Sequence, residues 1–492
     1  MRPLREFWLG ETSLAPVALF RILYGLQLVN WVWQLFPNLT PFFTDEGILP
    51  RSSQLTHYAD RFTLLDVAGT WWQVAVFWAA ALMVGALLTI GWRSRTMSFL
   101  AFIVVTSFSW RDPLILDGSD IVFRVVPLWL AFTECGARWS LDAVARRRRG
   151  EPARVAGPAL PVRILELQIA WIYLSTGIDK LSGQLWPQGV ATYYALQLEH
   201  TFGRPWAYPI ATDLVFAQAM SWGTLGVELL FLPLAMVPAR LTRVLAAAGA
   251  AGLHLGILTL MNVGNFPVIM LSALVLFLPP EWIERSVARA TSFVDVRARP
   301  TAVAVADGVA EAAVVPAPIV RSRAPVRGSL AGLSLVVVAA CSFVTAVPAQ
   351  LEAIRPTGDV ASLLRFLSLD QRWDMFAPDP ARSDGWLRIP ATLADATRID
   401  LVTNGPVDDR IERYSDPLYS RWTKVTERIA SASYSDYRLE YARQFCRARN
   451  LHLVPGEVPL ETFEIHYVER VIRPPGEGPP TFRDILLWSH RC

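Results

Sequence analysis

The feature that most constrains this chain is a recurrence of apolar windows, through its first 350 residues, close to the length of a bilayer-spanning helix. A helix needs roughly 20 mostly apolar residues to cross the hydrocarbon. Nine windows meet that description: about 15–36, 70–92, 96–110, 119–135, 161–180, 213–237, 241–261, 264–280 and 329–349. The third and fourth are short and could shift by several residues. With 53% hydrophobic and 18% charged residues, the chain is too apolar for an ordinary soluble globule. The stretch 301–320 is apolar on average but carries Asp307, Glu311, Pro316 and Pro318. A carboxylate at the centre of a span costs about 2.5–3.5 kcal/mol, so this stretch reads as a linker. Residues 1–14 are polar and the first apolar run is long enough to remain as a span, so no cleavable signal peptide is expected.

Arginines set the orientation. One set of connections holds Arg2 and Arg5, Arg93 and Arg95, Arg138 with the run Arg146 to Arg149, Arg240 and Arg243, then Arg285 through Arg327. The alternate connections hold only Arg51, Arg61, Arg111 and Arg204. The positive-inside rule places the first set, and the N-terminus, in the cytoplasm. The four-arginine run then reads as a cytoplasmic loop, not as a nucleic-acid site. The expected fold class is a polytopic α-helical membrane protein, with about nine transmembrane helices and a small C-terminal extracytoplasmic α+β domain. Its parts are a transmembrane domain over 1–285 with about eight spans, an Ala/Val/Pro/Arg-rich cytoplasmic linker at 286–328, a ninth span at 329–349, and the external domain at 350–492. Within that domain "TFEIHYVERVI" and "RDILLWSH" alternate as strands do, and "SDYRLEYARQFCRARN" has helical amphipathicity. Cys135 and Cys341 lie in apolar segments as small hydrophobes, whereas Cys446 and Cys492 share the external domain, where an oxidising compartment permits a disulfide. No cysteine–histidine cluster has metal-ligand spacing, so no metal is expected.

Charged and polar side chains inside spans are expensive and so informative. They are Arg21, Asp120, Arg124, Glu166, Asp179, Lys180, Glu228 and His254, with Gln168, Asn262 and Asn265. Asp120 and Arg124 stand four apart and are expected to pair along their helix. Arg21 is expected to snorkel at the cytoplasmic boundary. Glu166, Tyr173, Gly177 and Lys180 fall on one helical face. Glu228 and His254, on neighbouring spans, would satisfy one another as a pair. Lys180 stands out by usage. Of 46 Lys plus Arg residues only Lys180 and Lys424 are lysines. Arginine would anchor a helix at the interface equally well, but it keeps its proton, whereas a desolvated lysine can release one and act as a base. An interfacial anchor and a general base are the two readings of Lys180.

The segments "FRILYGLQLV", "DEGILPR", "DGSDIVFR", "ARWSLD", "STGIDKLSGQLWPQG", "VELLFLPL" and "HLGILTLMNVGNF" together resemble the HTTM (horizontally transferred transmembrane) domain. That family includes the vitamin K-dependent γ-glutamyl carboxylases and many bacterial proteins. The resemblance covers about 7–285, and "QRWDMFAPDP" looks like the external tail of bacterial members. It implies that Lys180 is the base that deprotonates a reduced naphthoquinone, menaquinol or vitamin K hydroquinone. Glu228 and His254 join it as catalytic candidates, with Tyr173 and Trp186 contacting the cofactor. Where the carboxylases carry a histidine before the Trp-Ser-x-Asp motif, this chain has Ala137, and its external domain is much smaller. The resemblance therefore implies quinol chemistry more directly than glutamate carboxylation.

Two functions follow. One is a quinol-dependent oxygenase or carboxylase-like enzyme of the cell (inner) membrane. The other is a non-enzymatic membrane protein that binds or helps process an exported peptide, motivated by the external domain and the aromatics of "QLWPQGVATYY". Membrane lipid and an exported peptide or protein are the expected partners, and nucleic acid is not. A transporter ranks last, because no pair of broken helices appears in matching halves.

Overall fold

The computed structural model describes residues 2–57, 60–297, 330–407, 421–451 and 453–492. Most of the expected linker at 286–328 lies outside the described residues. Helices form in every apolar window: α1 (Ala15–Leu35), α2 (Trp71–Ile90), α3 (Ser94–Arg111), α4 (Gly118–Phe132), α5 (Ala159–Leu181), α6 (Leu214–Ala235), α7 (Arg240–Leu260), α8 (Phe266–Ala273), then α9 (Pro280–Arg297) and α10 (Leu330–Thr345). Among the described residues, four helical stretches are long and apolar enough to cross a bilayer: Ala15–Phe43, α2, α6 and α7. A fifth is possible by length if Phe266–Phe277 and Pro280–Ala290, which meet at 113°, count as one span. That bend falls at Pro279-Pro280, where the missing amide hydrogens and the restricted backbone before proline end a helix.

The helices sort by composition into an interior and a sheath. The apolar windows of α2 and α6 are each 28% buried and that of α7 is 22% buried, so they turn most of their surface outward. The helices with charges, α4 and α5, are buried along most of their length. A charge tolerated inside a membrane protein faces protein, and here the apolar helices stand between it and lipid. Trp31 of α1, Phe108 of α3 and Phe123 of α4 interlock by aromatic contacts 5.9–6.0 Å apart. Tyr24 of α1 donates its phenol to Phe123 O at 2.7 Å.

Arg21 does not snorkel. It is fully buried and donates to the carbonyls of Trp139 at 2.6 Å, Cys135 at 3.4 Å and Thr89 at 3.5 Å. The last turn of a helix leaves carbonyls without partners, and Thr89 belongs to the last turn of α2. One guanidinium with five N–H donors serves several such carbonyls, which is why burial wins over reaching water.

The C-terminal region is an antiparallel sheet with helices against it. It comprises α11 (Gly358–Phe366), β1 (Ser383–Arg388), β2 (Pro390–Leu393), β3 (Arg398–Asp400), α12 (Arg421–Ala430), α13 (Arg438–Asn450), β4 (Leu460–Val471) and β5 (Thr481–Arg491). β4 is the spine: β5 pairs along one side of it, while β1 and β2 share the other, and β3 continues from β2. The two alternating runs supply β4 and β5, whose inward residues include Phe463, Ile465 and Val468. Cys446 of α13 and Cys492 beyond β5 form a disulfide that staples helix to sheet.

Candidate functional site

The site begins with the face of α5 that carries Tyr173, Gly177 and Lys180. A Cβ at Gly177 would stand 3.0 Å from Glu228 Cβ and 3.2 Å from a Leu229 methyl, so glycine lets α5 and α6 approach closely. That approach delivers Glu228 to Lys180: Nζ donates to Oε1 at 2.5 Å, with side chains only 4% and 8% exposed. The ammonium also lies 4.3 Å from the centre of the Trp186 ring, a cation–π contact. Trp186 is itself fixed by donating Nε1–H to Phe376 O at 2.7 Å.

His254 of α7 takes a different partner from the one expected. The Glu228–His254 pair does not form, because Lys180 reaches the carboxylate and the imidazole Nε2 bonds the Tyr173 phenol at 2.7 Å. Tyr173 in turn stacks on Phe231, ring centres 4.3 Å apart. Among the described residues, Glu228 Oε2 and His254 Nδ1 are buried without a hydrogen-bond partner. Unsatisfied polar atoms in a buried place call for an explanation.

The explanation is a cavity of about 880 Å³ whose wall includes Tyr173, Lys180, Glu228 and His254. The part of its wall between the helices is apolar, with Ile172, Leu253, Ile257 and Met270 among its residues. Its roof comes from the C-terminal region: Trp373 to Phe376, together with Lys424 and Arg428 of α12. Both lysines of the chain therefore face one cavity. Lys424 repeats the surroundings of Lys180, donating to Glu427 at 2.7 Å and lying 4.3 Å from the Phe202 ring centre.

The roof is tied down at several points. Asp379 accepts from the backbone amides of Gln184 (2.9 Å) and Leu185 (2.7 Å), just past the end of α5. A Cβ at Gly183 would fall 2.1 Å from Pro378 O, so only glycine admits the strap there. Gln371 Oε1 accepts from Gln168 Nε2 of α5 at 2.8 Å and from Trp373 at 3.1 Å. Asp120 and Arg124 do not pair with each other. Asp120 receives both guanidinium nitrogens of Arg421 at 2.9 Å and Trp31 Nε1 at 2.7 Å, and Arg124 turns to Asp370. A forked guanidinium on a carboxylate outcompetes a single contact along a helix.

Glu166 shares the face of Lys180 but not its site. It lies 14 residues earlier, about 21 Å along the helix, held by Arg163 at 2.6 Å and Arg243 at 2.9 Å. The structure thus brings together Lys180, Glu228 and Trp186, sets Tyr173 and His254 on the same cavity, and leaves Glu166 outside. Sequence reasoning missed the C-terminal contributors, Asp370, Gln371, Arg421 and Lys424. The scarcity of lysine was a signal for the last of them.

An apolar helical sheath around a charged interior, with a buried lysine–carboxylate pair in a roofed cavity, defines an integral membrane protein with a built internal site. The chain belongs to the HTTM domain family, whose domain matches residues 11–282, a membrane-associated family related to carboxylase. The uncharacterized protein YitO of Bacillus subtilis (strain 168) is similar, 29% identical over 205 residues. The aligned part is 39% of this chain and 63% of YitO, so the chain spans less than two thirds of that relative. No solved structure matches. The match ends before the C-terminal region that roofs the cavity.

Proposed function

We propose that the protein is a quinol-dependent oxygenase or carboxylase-like enzyme in which Lys180 is the general base, at the external boundary of the membrane. The observation that carries this reading is a lysine, in a chain of arginines, paired to a buried carboxylate on the wall of a roofed, partly open cavity. A base buried beside an apolar chamber can act on a lipid-borne hydroxyl, and pKa matching to ambient pH gives such a base its efficiency.

The proposed arrangement keeps nine spans, a cytoplasmic N-terminus and the region 350–492 outside the cell membrane, with the linker at 286–328 returning to the cytoplasmic side. The arginine asymmetry and the helices in all nine windows support it. A reduced naphthoquinone suits the chamber, since about 880 Å³ falls within the roughly 300–1,000 Å³ of small-molecule sites. Glu228 Oε2 and His254 Nδ1 offer unsatisfied atoms for its hydroxyl groups, and Tyr173 and Trp186 frame them. When bound, the quinol would supply the reducing equivalents of the reaction. Lys180 would hold or release a proton at Nζ, Trp186 would fix that amine, and the roof would exclude water.

The test is oxidation of a reduced naphthoquinone by the purified protein in lipid nanodiscs. Lys180→Ala should lower the rate by roughly 10²–10⁴-fold while the protein still elutes as a folded species. An unchanged rate in that variant rejects the assignment. The alternative, a non-enzymatic protein that engages an exported peptide, draws on the external sheet; peptide capture that persists in Lys180→Ala would favour it.

A further inference from the structure

We infer that Glu228, and not Lys180, is the net proton acceptor of this site, with Lys180 serving as proton shuttle and counter-cation. This rests on the reading of Lys180 as the group that takes a ligand proton. The amine donates to Oε1 at 2.5 Å and rests on the π face of Trp186, an environment that selects the ammonium form. An ammonium cannot accept a proton. Among the described residues, Glu228 is the one hydrogen-bond acceptor touching Nζ, so it is the protein group placed to take the amine's proton.

The proton balance closes within the pair. The Nζ–H bond of Lys180 breaks and an O–H bond forms on Glu228 Oε1, leaving amine and carboxylic acid. In a poorly hydrated site this neutral pair competes with the ion pair, because burial penalises both charges. The amine lone pair then takes the proton of a ligand hydroxyl, and the ammonium is restored beside the new oxyanion. The net change is one proton moved from ligand to Glu228 carboxylate, with Lys180 positive throughout the anion's life. The acid proton on Oε1 returns to solvent when water next enters the chamber, whose wall includes Glu228.

Other charged or titratable groups face the same chamber. They are Tyr173 on α5, His254 on α7, Asp117, Asp120 and Arg124 in and just before α4, Arg355, Arg365, Asp370, Arg372, Asp374 and Asp379 in the C-terminal region, and Lys424 and Arg428 on α12. Among the described residues none of them accepts a hydrogen bond from Lys180, and His254 is occupied by Tyr173.

Two measurements test the proposal. With only two lysines in the chain, protein grown on lysine labelled at Cε gives two side-chain NMR signals, and Lys424 is the internal reference. At fixed pH, Glu228→Gln should shift the Lys180 Cε signal while leaving that of Lys424 in place. Glu228→Asp should restore the coupling in part. A Lys180 signal unchanged in Glu228→Gln overturns the proposal, whatever the enzyme does. In the naphthoquinol assay Glu228→Gln should lower kcat about 100-fold or more with KM nearly unchanged. If the wild type oxidises the quinol and Glu228→Gln matches it, the proposal fails and Lys180 remains the base. If the wild type is inert toward quinols, the functional reading fails, and the NMR signals still decide whether Lys180 and Glu228 are coupled.

Discussion

Single residues in this protein are set by close approaches and by burial, and each makes a measurable claim. Gly177→Ala places a methyl 3.0 Å from Glu228 Cβ and 3.2 Å from a Leu229 methyl, so side chains of α6 must give way. We expect a loss of about 1–3 kcal/mol in thermal or denaturant stability, with the Lys180–Glu228 contact weakened first. Asp112, in the loop after α3, caps Leu114 N at 3.0 Å, yet its other oxygen is buried without a partner. Burial pushes its carboxyl up to about 7, against weaker opposing effects of the Leu114 amide and nearby arginines. A carboxyl raised in the folded state favours folding at low pH, and this contribution is lost as pH climbs from about 4 to about 7. Asp112→Asn keeps the cap and has no proton to lose, so the fall in thermal midpoint between pH 5 and pH 8 should shrink. An unaltered pH slope would show that Asp112 does not titrate in this range. At this scale the sequence was legible where chemistry is costly. Lys180, Glu228, His254 and Tyr173 could be named because ionisable groups do not drift into spans. Their pairings could not, because which helix lies beside which is decided by packing, as the Lys180–Glu228 contact shows.

At the level of elements, helices were readable and their ends mostly so. Gly91, in the left-handed conformation at φ +72, ends α2, and the Gln73 side chain accepts from Thr70 N at 3.1 Å to begin it. What the sequence concealed is the division into interior and sheath, since α5 is as regular a helix as α6 but shares its charges with protein. The strap from Gln371 to Pro380 was visible as a motif, without any hint that it roofs a chamber. Its docking is testable. Gly183→Val must clash with Pro378 O, so the strap should lift and the Trp186 indole should become quenchable by acrylamide. Unchanged quenching would mean that the strap does not depend on this approach. The disulfide from α13 to the end of β5 closes 46 residues. By loop entropy its removal in Cys446→Ala should cost the region about 4 kcal/mol, read as a lower thermal midpoint.

Across the whole molecule, the contacts of greatest sequence separation join the two halves. Arg447 reaches the Gly47 carbonyl across 400 positions, and the ion pairs Arg421–Asp120 and Arg61–Asp370 span 301 and 309. Removing one partner of a buried bidentate pair leaves an uncompensated charge, so Arg421→Ala should destabilise the folded protein by about 3–5 kcal/mol. The membrane helices should feel it as strongly as the sheet, which hydrogen exchange would reveal. Protection lost from the sheet alone would contradict the coupling. Charge pairing over such separations has no local sequence signal, which is why the C-terminal region reads from the sequence as a separate module.

The order in which a ribosome delivers these halves has its own consequence. The helices emerge first, with Asp120 still waiting for Arg421, Arg124 for Asp370, and Lys180 without its ceiling. Arg421 and Lys424 are among the last residues made. An unfinished chain therefore has the lysine–carboxylate pair but not the roof above it.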